Sequence, residues 1–254
     1  MGRSIYLKSA AEIRILREAN RIVAETLSML RDKIAPGVST WELDQWAEAF
    51  AVERGAAPAF KGYRGFPGSL CVSLNEQVVH GIPSKKIILR DGDIISLDFG
   101  VKYNSFYGDA AVTLPVGKIT SEKERLLDVT RESLYKGIEQ AVPGKRINDI
   151  SAAVQEHVER HGFSVVREYV GHGIGRQLHE APEIPNYSRR ESTPRIQAGM
   201  VFAIEPMVNL GGNAVKVLED RWTVVTRDRS PSAHFEHSVA VTDDGPLILS
   251  ELSH

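Results

Sequence analysis

Two pairs of helical segments recur along the chain at an offset of 106–107 residues, and this repeat constrains the fold more than any other feature. The first pair is a helix over 9–33, broken at Pro36-Gly37, and a helix over 39–55 that ends in Val52-Glu53-Arg54-Gly55. The second is a helix over 121–140, broken at Pro143-Gly144, and one over 148–162 that ends in Val158-Glu159-Arg160-His161-Gly162. Ser9 with Glu12, and Ser39 with Glu42, have the spacing of a capping box, in which serine and glutamate each satisfy a free backbone N–H of the first turn. Pro-Gly and terminal Gly are the matching stop signals. Ile13, Leu16, Val23, Leu27 and Leu30 line one face of the first helix. A fixed offset is how internal duplication shows itself in a sequence. Two copies cannot build an array, so the expectation is a pseudo-twofold within one domain over 1–254, its halves at about 9–115 and 121–250.

Strand composition falls between and after the helix pairs, at 70–74, 86–89, 93–101, 105–114, 200–208, 214–218, 222–226, 235–241 and 247–249. Short turns such as Arg90-Asp91-Gly92-Asp93 favour antiparallel neighbours. Helix pairs alternate with groups of strands, which argues for an α+β class and against a doubly wound parallel sheet.

Composition removes several kinds of protein. No apolar run reaches the 18 residues of a membrane span, and no apolar stretch near the start has the form of a secretory leader, so a cytoplasmic protein is expected. A net charge of −2 does not suit a dedicated nucleic-acid binder, and no nucleic-acid motif is visible. The single cysteine, Cys71, excludes an intrachain disulfide and a Cys-rich zinc site.

Four carboxylates stand where strands usually avoid them. Asp98 lies in Ile94-Ile95-Ser96-Leu97-Asp98-Phe99, and Asp109 in Phe106-Tyr107-Gly108-Asp109-Ala110-Ala111-Val112. Glu205 lies in Ile204-Glu205-Pro206, and Glu236 in Phe235-Glu236-His237. Any one of them reads most simply as an exposed acid. Taken together they read as a cluster of titratable groups. A two-residue turn at Tyr103-Asn104 would pair Lys102 with Ser105 and place Asp98 directly opposite Asp109 on one face. Two such acids cannot both stay ionised unaided; a shared cation or a shared proton resolves the conflict.

Histidines complete the set. His172 stands in Tyr169-Val170-Gly171-His172-Gly173-Ile174-Gly175, His179 seven residues on, and His80 before Gly81-Ile82-Pro83. His157 and His161, on a helix, read as structural. Four carboxylates with one imidazole suit divalent Mn, Fe, Co or Zn better than a structural zinc. Two such ions imply hydrolysis, since they polarise a carbonyl and activate water. Calcium is the competing use of clustered acids, but its helix-loop signature is missing.

Asp98, Asp109, His172, Glu205 and Glu236, in this order and context, resemble the five metal ligands of the methionine aminopeptidases. Lys61-Gly62-Tyr63-Arg64-Gly65-Phe66-Pro67, Asn75-Glu76, His80-Gly81-Ile82-Pro83 and Glu236-His237 agree with the same family. The likeness spans nearly the whole chain. It is to the short type I form, because Glu205 follows His172 by 33 positions, which leaves no room for the type II insertion, and no zinc-binding extension is expected before the domain. The fold this implies is the pita-bread fold: a curved antiparallel sheet backed by two helix pairs.

The resemblance implies removal of the initiator methionine from nascent chains with a small second residue, by a metal-bound hydroxide that attacks the scissile carbonyl. The chain's own Met1-Gly2 fits that specificity. In this reading Asp98 and Asp109 hold one divalent ion, and His172 and Glu205 the other, with Asp109 and Glu236 bridging. Glu205 shuttles the proton, His179 stabilises the oxyanion, and His80 contacts the scissile amide or the departing nitrogen. Tyr63, Phe66, Cys71, Leu178 and Trp222, with Phe60 nearby, match the slot for the methionine side chain. Asn75 and Ser232 match a monovalent-cation site.

Two positions depart from the pattern. Arg64 stands where His is commoner, and His234 where Gln is, on the same side of its strand as Glu236. The implied partners are nascent polypeptide N-termini, with transient proximity to the ribosome; the implied state is a monomer without a membrane partner. The competing readings are an Xaa-Pro aminopeptidase-like hydrolase, which normally carries an added N-terminal domain, and a non-catalytic relative, which would have lost ligands.

Overall fold

The computed structural model describes residues 4–252, so Met1 and Gly2 lie outside the described residues. The first half runs α1 (Ala10–Arg31), α2 (Thr40–Glu53), β1 (Ala57–Pro58), β2 (Cys71–Leu74), β3 (Gln77–Val79), β4 (Ile94–Tyr103) and β5 (Phe106–Pro115). The second opens with α3 (Ser121–Ile138), α4 (Ile147–Arg160), β6 (Ser164–Val165), β7 (Gly171–Gly173) and β8 (Glu180–Ile184). It closes with β9 (Val201–Ile204), β10 (Met207–Asn209), β11 (Val215–Val217), β12 (Val224–Thr226), β13 (Ser232–His234), β14 (Glu236–Thr242) and β15 (Gly245–Ile248).

The helices start and stop where the capping residues dictate. Ser9 and Ser39 cap α1 and α2, and Glu12 and Glu42 reach back to the cap N–H at 2.9 and 2.8 Å. Asp149 does the same for α4, accepting from the Arg146 N–H at 2.7 Å. The second helix of each pair stops at a glycine in the left-handed region, Gly55 at φ +73° and Gly162 at φ +81°.

Nine strands form one curved antiparallel sheet, ordered β1-β4-β5-β14-β9-β7-β8, with β2 also on β4 and β15 on β14. Two three-stranded sheets, β13-β10-β6 and β11-β12-β3, complete the fold. Val23, Leu30 and Leu43 of α1 and α2 pack on Ile95, Leu97 and Phe99 of β4. Leu134 of α3 and Ile150 and Val154 of α4 pack in the same way on Phe202 and Val239. This is the pita-bread arrangement expected from the sequence. Among the described residues no helix is long and apolar enough to cross a membrane.

Three expectations about strands need correction. The segment 86–89 is not a strand: Ile88 makes one isolated bridge to Ser39, and the backbone hydrogen bonds beside it run to Gly37, Val38 and Thr40 at the entrance to α2. The segment 200–208 is two strands in different sheets, β9 and β10, since Pro206 has no N–H to continue the ladder. The β4–β5 turn is Asn104-Ser105, both at positive φ (+46° and +68°), the geometry of a tight hairpin that asparagine tolerates and tyrosine does not. Tyr103 therefore pairs with Phe106, and Asp98 faces Ala111 while Asp109 faces Gly100. The two acids are diagonal neighbours, not direct partners, and the even slip leaves both on one face.

Candidate metal centre

The sheet order collects what the chain order scatters. Five adjacent strands, β4, β5, β14, β9 and β7, each bring one polar residue: Asp98, Asp109, Glu236, Glu205 (just past the end of β9) and His172. All five line one cavity of about 320 Å³. Ligand atoms of Asp109, His172 and Glu236, all three buried, lie within 4.8 Å of one another. His172 Nε2 is 3.5 Å from Glu205 Oε1, and His234 Nε2 is 3.8 Å from Glu205 Oε2.

The electrostatics suit a cation. Buried Asp98 Oδ1, Asp109 Oδ1 and Glu236 Oε1 have no hydrogen-bond partner. Orphaned buried acceptors are costly, and a missing ion is one standard reason for them. Burial pushes the Asp98 carboxyl up to about 7. Burial also pushes Asp109, Glu205 and Glu236 well above the usual carboxylate range, and their neighbouring acids add to it. Burial lowers His172 to about 4, so its imidazole is neutral at pH 7. Its Nδ1 donates to the Gly173 carbonyl at 2.9 Å, which leaves the Nε2 lone pair facing the acids. A neutral imidazole anchored through its other nitrogen is the usual form of a metal-ligating histidine. The donor set of carboxylates and one imidazole fits a divalent ion.

Asp109 is set from behind. Its backbone N–H donates to Asn20 Oδ1 of α1 at 3.2 Å, and its carbonyl accepts from Ser238 Oγ of β14 at 2.8 Å. His80 sits at φ +60°, in the left-handed region. The next residue, Gly81, donates to Ser73 Oγ at 3.1 Å and accepts from the Val72 N–H at 2.9 Å. A strained histidine held by its neighbours at a cavity wall is a mark of function. Burial lowers His80 to about 4, so it too is neutral at pH 7. His179 packs between two site residues: its ring centroid is 4.2 Å from that of His172, and its Nδ1 is 3.1 Å from Tyr63 Oη.

Residues 14–243 match metallopeptidase family M24. The chain is 55% identical over 248 residues to methionine aminopeptidase 1 of Bacillus subtilis, covering 98% of this chain and 100% of that one. The chain belongs to the methionine aminopeptidases of family M24. Its form is type I. The crystal structure of a methionine aminopeptidase from Thermotoga maritima superposes with a TM-score of 0.96 at 44% identity, covering 98% of this chain and 100% of that one. Prolidase from Pyrococcus furiosus shares the fold, with a TM-score of 0.80 at 22% identity over 98% of this chain and 66% of that one.

Every residue that the sequence assigned to the family's side-chain slot lines the same cavity. Phe60, Tyr63, Phe66, Cys71, Leu178 and Trp222 form its apolar wall, and Phe66 meets Trp222 edge-on at 5.2 Å. Burial, reinforced by Asp98 and Asp109, pushes the Cys71 thiol well above its usual value. The two departures from the methionine aminopeptidase pattern, Arg64 and His234, also line the cavity. Burial lowers His234 to about 3, so it adds no charge beside Glu205 at neutral pH.

The sequence did not single out Val79, Glu168, Tyr169, Val170 or Met207, which line the cavity as well. Tyr169 meets His80 edge-on at 5.5 Å, and it stood in the His172 motif. Met207 opens β10 just past Pro206 and reaches the cavity from a different sheet than β9. Ser232 N–H donates to the Asn75 carbonyl at 2.8 Å, so these two also meet; the Lys123 ammonium donates to Asn75 Oδ1 at 3.1 Å.

Proposed function

We propose that the protein removes N-terminal methionine from peptides and nascent chains whose second residue is small, in a reaction that depends on divalent metal. The observation that carries this is the delivery of Asp98, Asp109, Glu236, Glu205 and His172 by five adjacent strands to a cavity walled by aromatic residues. In this reading Asp98 and Asp109 hold one divalent ion, His172 and Glu205 a second, and Asp109 and Glu236 serve both, with Mn, Fe, Co or Zn as the candidates. When bound, such ions supply Lewis acidity at the scissile carbonyl and lower the pKa of the attacking water. A monovalent cation beside Asn75 and Ser232 belongs to the same reading; the two residues are neighbours, with the Ser232 N–H on the Asn75 carbonyl.

The chain's own groups do the rest. The methionine side chain enters the slot of Tyr63, Phe66, Cys71, Leu178 and Trp222, where its burial contributes about 2 kcal/mol toward holding the scissile bond in place. The attacking water gives a proton to the Glu205 carboxylate, and its oxygen forms the new bond to the carbonyl carbon. His179 donates a hydrogen bond to the oxyanion as charge develops there. The C–N bond then breaks, and Glu205 passes its proton to the departing nitrogen. His80, neutral at pH 7, has one ring N–H and one lone pair to offer the amide or the leaving amine.

Methionine release from Met-Ala-Ser by chelator-stripped protein, with each metal restored singly and an Ala-Pro peptide as control, tests the proposal. Release of methionine only with metal, and none of alanine from Ala-Pro, is the expected result. Cleavage of Ala-Pro alone would move the chain to proline-directed chemistry, and silence on both with metal bound would leave a binding protein.

A further inference from the structure

The loop that carries His179 is tied to the N-terminal segment by an ion pair that solvent barely reaches. Lys8 Nζ lies 2.6 Å from Glu180 Oε2, with the two side chains 5% and 6% exposed. The lysine comes from anchored backbone: its own N–H donates to the Gly199 carbonyl at 2.7 Å, and its ammonium also donates to the Tyr6 carbonyl at 3.1 Å. The other oxygen of Glu180 accepts from the Gln177 N–H at 3.1 Å and so closes the loop onto itself. Gly175 lets both side chains come close: a Cβ there would lie 2.6 Å from Lys8 Cε and 2.7 Å from Glu180 Oε1, so a larger residue would have to displace the pair. Glu180 follows His179 directly, opens β8 and is the register partner of Gly173, the neighbour of His172. Desolvating two charges is expensive, and such a pair is weak evidence for stability alone. What this one fixes is the backbone on the far side of His179, whose ring stands between His172 and Tyr63.

We propose that Lys8 and Glu180 are positioning residues: their buried ion pair sets the place of the His179 ring, and it acts on turnover through His179. This rests on the reading of His179 as the oxyanion donor.

The test is a cycle of variants, each assayed on Met-Ala-Ser with metal restored. Lys8→Met combined with Glu180→Gln removes both charges and leaves no buried charge uncompensated. It should lower kcat by about 10- to 100-fold, since a misplacement of about 1 Å costs up to on the order of 100-fold. KM should stay within about twofold, and metal affinity by calorimetry should not change. His179→Ala should lower kcat by about 100- to 1,000-fold, and adding the pair of substitutions to it should bring no further loss, the non-additivity of groups that act as one unit. Lys8→Arg, which keeps the charge, should restore most of the activity. Losses that add in the triple variant, or wild-type kcat in the double variant while His179→Ala is impaired, would overturn the positioning role alone. Wild-type kcat in His179→Ala would overturn the reading of His179 itself. If the double variant fails to fold by circular dichroism, Glu180→Asp decides: a several-fold fall in kcat that vanishes in the His179→Ala background is expected, and wild-type kcat would refute the proposal.

Discussion

Restoring metal to stripped protein at pH 7 should release protons. Four carboxylates share the site, and among the described residues no lysine or arginine ion-pairs with any of them. Asp98, pushed up to about 7, is half protonated at pH 7 and alone returns about half a proton when a cation replaces it. Asp109, Glu205 and Glu236 are raised by burial and by one another and add to that number. Saturation should therefore release at least about half a proton, and the logarithm of the apparent affinity should rise with pH by the number released. The stability of the stripped protein follows the same groups. A raised carboxyl pKa means that the folded state binds more protons than the unfolded one, so stability falls as pH rises. For Asp98 the window runs from 3.8 to about 7. At about 1.4 kcal/mol per pH unit, that is on the order of 4 kcal/mol lost across it. Calorimetry in buffers of different ionisation enthalpy counts the protons, and thermal melts of stripped protein from pH 4 to 7.5 read the second effect. Release of fewer than about 0.3 protons with pH-independent affinity would mean that the acids are already ionised, and the account of the site by burial would be wrong.

Asp98→Asn and Glu205→Gln, each isosteric and uncharged, should cut kcat/KM by at least about a thousandfold while the stripped protein melts no lower than the parent, since each removes a buried acid crowded by others. Full turnover in either would remove that residue from the ligand set. Phe66→Ala opens the methionine slot opposite Trp222 and should lower kcat/KM for Met-Ala-Ser by about 30-fold, or about 2 kcal/mol, with release from a norleucine analogue reduced in parallel. Unchanged specificity constants would place the side chain elsewhere. Gly81→Ala puts a Cβ 2.0 Å from the Val72 carbonyl oxygen and should lower Tm by about 6–12 °C, the equivalent of about 3 kcal/mol, and disturb His80 with it. An unchanged Tm would show that the turn at His80 moves freely.

What was legible in the sequence follows from how local each signal is. Ser9 with Glu12 and Ser39 with Glu42 announce helices because the bonds that cap a helix lie within three residues of one another. The two-residue strands β1 and β6 carry no such signal, since alternation needs four or more positions to be visible. The β4–β5 register was misjudged by two residues because composition does not say which pair of Tyr103, Asn104 and Ser105 enters the left-handed region. The error left the site intact: an even slip keeps Asp98 and Asp109 on one face, whereas an odd one would have sent one of them into the helices. Of the cavity wall, Phe66, Leu178 and Trp222 read as plain core from the residues alone; only the resemblance to the methionine aminopeptidases marked them as a slot.

Burial explains why these acids stand where they do. In the large sheet the strands of the first half, β1-β4-β5, join those of the second, β14-β9-β7-β8, only through β5 and β14. That junction consists of two residue pairs, Glu236 with Ala111 and His237 with Ala110. Asp98 and Asp109 come from one side of it and His172, Glu205 and Glu236 from the other. The backbone ladder there is short and is supplemented by side-chain hydrogen bonds, Ser238 Oγ to the Asp109 carbonyl and Thr113 Oγ1 to the His234 carbonyl, both at 2.8 Å, and the acids packed against it raise one another's pKa. A cation held there would displace protons from these acids, draw the carboxylates of the two sides together and give the orphaned oxygens of Asp98, Asp109 and Glu236 a partner. The cluster of Asp109, His172 and Glu236, which draws on both sides, is therefore where catalytic need and the joining of the two halves coincide.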